Sequence, residues 1–177
     1  YGRPVYTNIG YPFEYNPPKA VASQRETNEK DNNATGFYRR QFTLDESWRD
    51  KRVFLHFDGL YSAGVVWVNG RYVGYTQSAN TDAEFDLSGF LREGENQLSV
   101  RVYRWCDGSY LEGQDMWHLS GIHRDVYLVA TPKVFVADHV ITTDNMAADA
   151  TSGTMQVALT IDNRDRVAGA NKTIAVT

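Results

Sequence analysis

The dipeptide Asn69-Gly70 lies between Gly64-Val-Val-Trp-Val68 and Arg71-Tyr-Val-Gly-Tyr75. It constrains the fold more than any other feature of the sequence. A two-residue type I′ turn needs positive φ at both central positions, so Asn-Gly flanked by β-formers predicts a hairpin. The same period of two recurs along the chain. Arg52-Val-Phe-Leu-His-Phe-Asp58 places Val53, Leu55 and Phe57 on one face. Gln97 to Tyr103 turns Leu98, Val100 and Val102 inward, and Arg124 to Val129 does the same with Val126 and Leu128. Ala83 to Gly94 reads as a short strand, one helical turn and a glycine stop. Strands over 36–44 and 52–58 are expected to be hairpin neighbours through the Asp45 to Lys51 connection. Short strands with turn signals between them and no long helical period predict an antiparallel β-sandwich.

The remaining segments set the domain organisation. Pro4, Pro12, Pro17 and Pro18 forbid a long helix over residues 1–35 and favour an extended arm interleaved with aromatics. Thr131-Pro132 marks a boundary, after which Val134 to Ile141, Met155 to Ile161 and Lys172 to Thr177 alternate again. Three strands are about half of a seven-strand immunoglobulin-type sandwich. The expected division is therefore 1–132 and 133–177, with the second sandwich incomplete and the chain, which begins at Tyr1 rather than Met, a trimmed piece of a larger protein.

Composition narrows the function. The 177 residues carry 18 Lys plus Arg and 22 Asp plus Glu, a formal charge of −4, which argues against a nucleic-acid partner. No apolar run approaches the roughly 20 residues of a membrane-spanning helix, so no membrane partner is expected. The single cysteine, Cys106, excludes an internal disulfide, and the compartment, cytoplasmic or periplasmic, stays open.

One segment concentrates chemistry. Tyr103 to Asp125 holds two Trp, two Tyr, three Asp, one Glu and two His between two well-patterned strands. A loop on a rigid sandwich is where binding residues tend to lie. Aromatic faces beside carboxylates and an amide suit a sugar, whose C–H face stacks while its hydroxyls take directed hydrogen bonds. Each residue also has a plainer reading. Asp107-Gly108 is a turn dipeptide, Trp105 and Trp117 are the kind of residue that plugs a core, and Asp115 alone is a solvated or capping acid. Glu112 and Asp115 are a weak match to a glycosidase acid pair. His118 and His123 lack zinc spacing, and Cys106 has no nucleophile signature.

Arg104-Trp-Cys-Asp-Gly-Ser-Tyr-Leu-Glu-Gly-Gln-Asp-Met-Trp117 and Ser120-Gly-Ile-His-Arg-Asp125 resemble the N-terminal sugar-binding domain of family 2 glycoside hydrolases, the β-galactosidase branch in particular. Pro4 to Pro12, Phe57 to Ala63, Trp67 to Tyr75 and Glu84 to Leu91 agree with it in order. The resemblance implies an all-β chain: a jelly-roll, galactose-binding-like sandwich, then the first strands of an immunoglobulin-like domain. A (β/α)₈ barrel elsewhere in the polypeptide would hold the catalytic glutamates, leaving none here. By the same resemblance, Asp115 of Gln114-Asp115-Met116-Trp117 reaches the barrel's pocket, contacts galactosyl hydroxyls and helps hold sodium, with magnesium a further ion of the full-length enzyme. Gln114, Trp117 and Tyr61 complete the expected substrate contacts. The partners implied are a β-galactoside or related glycan and the remaining domains of a parent homo-oligomer. Two positions depart from the family. Tyr61 stands where a bacterial member has Asn, and a phenol cannot reproduce an amide's donor and acceptor. Gly113 replaces an acid beside the Gln-Asp pair. The alternative from another class is a freestanding carbohydrate-binding module without catalysis.

Overall fold

A computed structural model of the chain describes residues 5–7, 33–112, 116–149 and 151–167. In chain order its strands are β1 (Val5–Thr7), β2 (Thr35–Thr43), β3 (Arg52–Phe57), β4 (Leu60–Tyr61), β5 (Ala63–Val68), β6 (Arg71–Thr76), β7 (Ala83–Asp86), β8 (Glu95–Tyr103), β9 (Met116–His118), β10 (Gly121–Ile122), β11 (Val126–Thr131), β12 (Phe135–Asp144) and β13 (Thr154–Asp162). The chain is all-β, as the alternation requires. It divides into one unit of residues 1–49 with 53–129 and a second of 50–52 with 130–177.

The first unit is a sandwich. One sheet runs β2-β8-β5-β6 and the other β11-β3-β7, with two short ladders, β10-β4 and β1-β9. Leu55 and Phe57 from β3 meet Val66 and Val68 from β5 and Val100 and Val102 from β8 in one core. Phe57 is fully buried and meets Phe85 edge-on, with ring centroids 6.1 Å apart. Gly74 lies where β6 passes that ring, because a Cβ there would come within 2.7 Å of Phe85.

The β5–β6 hairpin forms at the expected turn, with Asn69 at φ 52° and Gly70 at φ 78°. Asn69 does more than reverse the chain. Its Nδ2 donates to Phe90 O at 3.0 Å and to Asn96 Oδ1 at 2.8 Å, while its Oδ1 accepts from Gln97 N at 3.0 Å. The fully buried Asn96 is satisfied in turn, donating to the carbonyls of Arg92 and Gly94 and accepting from Arg92 N. The turn thereby locks β8 and the 88–94 segment, including the glycine stop Gly94 at φ 76°.

Two expectations are corrected. Strands 36–44 and 52–58 are not hairpin neighbours: β2 pairs with β8, and β3 pairs with β7 in the other sheet. The connection contains no tight reversal. It holds a 3₁₀ turn over Glu46–Trp48, capped by Asp45, whose carboxylate accepts from Ser47 N at 2.8 Å. Such a turn leaves the plane of one sheet rather than folding back beside it. Val126, expected inward, is 38% exposed at the start of an edge strand, while Leu128 does join the core.

In the second unit β12 and β13 form one antiparallel ladder, interrupted between Val136 and Asp138 by a register shift. Val140, Ile141 and Met155 are each more than half exposed on this hairpin. The strand expected over Lys172 to Thr177 and the arm over 8–32 lie outside the described residues.

Phe57 touches both sheets' core residues, so Phe57→Ala leaves a cavity that neither sheet can close. A loss of about 3–5 kcal/mol in urea-unfolding free energy is expected. A loss below about 1 kcal/mol would show that this ring is not central to the core.

Candidate functional site

The aromatic loop starts where β8 ends. Arg104 N donates to Ala34 O at 3.1 Å, and the Asn33 side chain then continues the ladder in place of a strand. Asn33 Nδ2 donates to Trp105 O at 2.9 Å, and Asn33 Oδ1 accepts from Trp105 N at 2.8 Å. The Asn33 amide thus clamps Trp105 at the start of the loop. Next, Cys106 opens a 3₁₀ turn over Asp107–Tyr110. Cys106 N donates to Ser109 Oγ at 3.1 Å and Ser109 N to Cys106 O at 3.1 Å, so Asp107-Gly108 serves as the turn its composition suggests.

The loop returns through β9, which pairs with β1 in the register Tyr6 opposite Trp117 and Val5 opposite His118. The two neighbouring side chains part there. Trp117 is 58% exposed, while His118 is 1% exposed. His118 is held by Tyr61, itself 1% exposed, whose hydroxyl shares a hydrogen bond with His118 Nδ1 at 2.5 Å. The Trp105 ring meets the same imidazole at 5.6 Å between centroids, and the Arg104 guanidinium lies over Trp105 at 5.4 Å.

Electrostatics fix the protonation of this pair. Burial pushes the Tyr61 phenol well above its ordinary value, and the nearby Glu112 and Cys106 add to the shift. Burial lowers His118, helped by the positive charge of Arg104. A neutral phenol donating to a neutral imidazole is the arrangement both shifts favour. Burial also raises Glu112, whose Oε2 is enclosed without a hydrogen-bond partner among the described residues.

Of the sequence-predicted site residues, Trp117 offers an exposed indole and Tyr61 lies in the interior with its hydroxyl on His118. Gln114 and Asp115 lie outside the described residues. Among the described residues no group of three His, Cys, Asp or Glu side chains converges as a metal site would require. Sequence reasoning missed the Asn33 clamp and the Tyr61–His118 bond, which joins positions 57 apart and has no local signature.

A β-sandwich that holds a long aromatic and acidic loop on a buried polar anchor belongs to the class of β-sandwich recognition modules. Residues 1–132 match the family described as glycosyl hydrolases family 2, sugar binding domain. The chain is 48% identical over 144 residues to a beta-galactosidase of Psychromonas ingrahamii, covering 81% of this chain and 13% of that protein. It is 43% identical over 164 residues to a beta-galactosidase of Yersinia pestis, covering 92% of this chain and 15% of that protein. A solved family 2 glycosyl hydrolase from Bacteroides cellulosilyticus superposes with a TM-score of 0.63 at 28% identity, over 76% of this chain and 17% of that one. The Bacteroides uniformis beta-glucuronidase gives 0.64 at 27%, over 71% of this chain and 16% of that one. The chain belongs to glycosyl hydrolase family 2, of which residues 1–132 are the sugar-binding domain. It spans about an eighth of the length of the beta-galactosidases it matches.

The anchor yields two expected outcomes. Tyr61→Phe removes the hydroxyl partner of the buried His118 Nδ1 and should lower unfolding free energy by about 1–3 kcal/mol. His118 and His123 are both held below the ordinary value of 6.5 by burial. The unfolded chain therefore takes up protons near pH 6.5 that the folded chain refuses, so this contribution is complete above pH 6.5 and is lost as pH falls below it. His118→Gln should make stability depend less steeply on pH from 6.5 down to 5 in denaturant titrations. An unchanged slope would mean that His118 does not carry the effect.

Proposed function

We propose that this chain is the N-terminal portion of a β-galactosidase-like glycoside hydrolase and lends a substrate-binding loop to an active site whose catalytic glutamates lie in a (β/α)₈ barrel elsewhere in the polypeptide. The observation that carries the reading is the match to a beta-galactosidase over 92% of this chain, an extent that necessarily runs through the Arg104 to Asp125 loop. The exposed Trp117 supports it from the structure, since an indole that is more than half exposed offers apolar ring surface to a pyranose. The sharp contrast with the buried His118 next to it gives the segment a fixed inner side and an open outer side.

In this reading Asp115 accepts hydrogen bonds from substrate hydroxyls, Gln114 adds an amide beside it, and Trp117 covers a sugar face. Tyr61 positions the strand that follows them rather than touching the sugar, because its hydroxyl is committed to His118. Sodium, where bound, would supply a cation that coordinates oxygen atoms and offsets the negative charge of Asp115. Asp115 is this chain's proposed ligand for it, with the remaining ligands coming from the barrel. Charge-assisted hydrogen bonds that tighten as the glycosidic bond breaks lower the barrier without any proton transfer by this domain. The second unit, with its apolar hairpin, is proposed as the first strands of an immunoglobulin-like domain spanning 133–177. The parent enzyme is proposed as a homo-oligomer.

Asp115→Asn in the full-length enzyme should lower kcat/KM on a β-galactoside by roughly 10- to 150-fold, the worth of one charge-assisted bond. An unchanged kcat/KM removes Asp115 from the site. Calorimetric titration of the 177-residue chain with lactose tests the rival class. A single wall of a pocket should bind no tighter than about millimolar, whereas micromolar affinity would identify a self-sufficient binding module.

A further inference from the structure

The face of the β2-β8-β5-β6 sheet that points away from the core carries an arrangement the loop does not use. Alternation puts Phe37 and Arg39 of β2, Ser99 and Arg101 of β8, and Trp67 of β5 on that side, opposite Tyr38, Val100 and Val66, which face the core. The register sets them in two adjacent rows. Arg39 is opposite Ser99, which is opposite Trp67 on the next strand, while Phe37 is opposite Arg101. Ser99 is the small residue of the group, so the middle of the face is a depression. Arg39 and Trp67 stand on either side of it and Arg101 closes one end. Its volume is about 340 Å³. That lies at the lower end of the size range of small-molecule sites, in a depression open to solvent.

The walls are rigid and chemically particular. The Arg101 guanidinium lies 5.3 Å from the Phe37 ring centroid and 5.4 Å from that of Trp67, and its Nη1 donates to Tyr103 Oη at 3.1 Å. An arginine stacked between two aromatics and tied at one nitrogen is pre-organised and loses little entropy on binding a ligand. Tyr72 extends the aromatic surface, edge-on to Trp67 at 6.5 Å and 59% exposed. Phe37 is 74% exposed, an unusual position for a phenylalanine on a sheet whose other face already fills a core.

Charge selects the occupant. On this face the strands present Arg39 and Arg101 against a single acid, Glu95, while Arg40 and Arg71 alternate to the other side. Glu95 is four residues along β8 from Ser99, roughly 13 Å away, and accepts a hydrogen bond from Gln41. Among the described residues no acid lines the depression. A neutral sugar would satisfy the aromatic walls and leave two guanidinium groups without counter-charge. A pyranose bearing a carboxylate satisfies both: its C–H face stacks on Trp67 and Phe37, its carboxylate meets Arg101 and Arg39, and a ring hydroxyl reaches Ser99.

We infer that the outer face of this sheet, centred on Phe37, Arg39, Trp67, Ser99 and Arg101, is a second carbohydrate-binding site, selective for a hexuronate unit of an acidic glycan. It is separate from the 104–120 loop in sequence and in the elements that build it. Its place on an enzyme domain would be to hold an acidic polysaccharide near a site that acts elsewhere on the glycan.

The test is calorimetric and NMR titration of the 177-residue chain with trigalacturonate, with lactose and adenosine monophosphate as comparison ligands. Trigalacturonate should bind, with amide shifts confined to β2, β5 and β8. Phe37→Ala and Arg39→Gln, both at exposed positions where folding is checked by circular dichroism, should each weaken it about tenfold, in line with the loss of one stacking or ionic contact. Lactose should bind at least about tenfold more weakly than trigalacturonate. Asp115→Asn should leave trigalacturonate binding unchanged, which keeps this result independent of the loop. The inference is overturned if trigalacturonate does not bind, if Phe37→Ala binds it as well as the unaltered chain does, or if lactose binds equally. Tighter binding of adenosine monophosphate than of trigalacturonate would also overturn it, by reassigning the cleft to a nucleotide.

Discussion

A buried hydrogen bond between a phenol and an imidazole holds the recognition end of this domain together. Tyr61 and His118 are each 1% exposed, and they join β4 at one side of the sandwich to β9 at the end of the aromatic loop. Both groups must be neutral for the bond to form as it does, and burial drives both toward neutrality. The bond therefore reinforces its own conditions: enclosure selects the protonation states, and those states make the enclosed pair cheap to keep. Around it, Asn33 clamps Trp105 by two backbone bonds and the 3₁₀ turn at Cys106 closes on Ser109.

The domain thus separates two tasks. Apolar residues of β3, β5 and β8 make the sandwich rigid. A polar set at one end orients a loop, and the outer surface of the larger sheet presents a basic aromatic depression. The Asn69–Asn96 network shows economy elsewhere. One turn residue supplies a positive φ and also locks β8 and the 88–94 segment through its amide.

What was legible in the sequence depended on how local the physics was. The Asn69-Gly70 hairpin and the Gly94 stop are set by backbone sterics within a few residues, and both form where the sequence places them. The all-β class follows from alternation summed along the chain. Pairing partners do not, because sheet membership is decided by contacts far apart in sequence. Residues 36–44 and 52–58 looked like one hairpin and fell into different sheets. Val126 alternates as an inward residue should, but an edge strand leaves it more than a third exposed. At the site, the composition of the loop pointed to sugar chemistry and the family motif pointed to Asp115. The anchors, Asn33 and the Tyr61–His118 pair, came only from tertiary structure, since nothing near Tyr61 in sequence reveals an imidazole 57 positions away.

The central claim is that Asp115 is lent by this domain to a sugar pocket completed by other parts of the polypeptide. A crystal structure of the full-length enzyme with a galactoside bound tests it most directly. The account predicts a carboxylate oxygen of Asp115 within about 3 Å of a sugar hydroxyl. A carboxylate turned into the interior of its own sandwich, or facing away from the neighbouring domains, would contradict it.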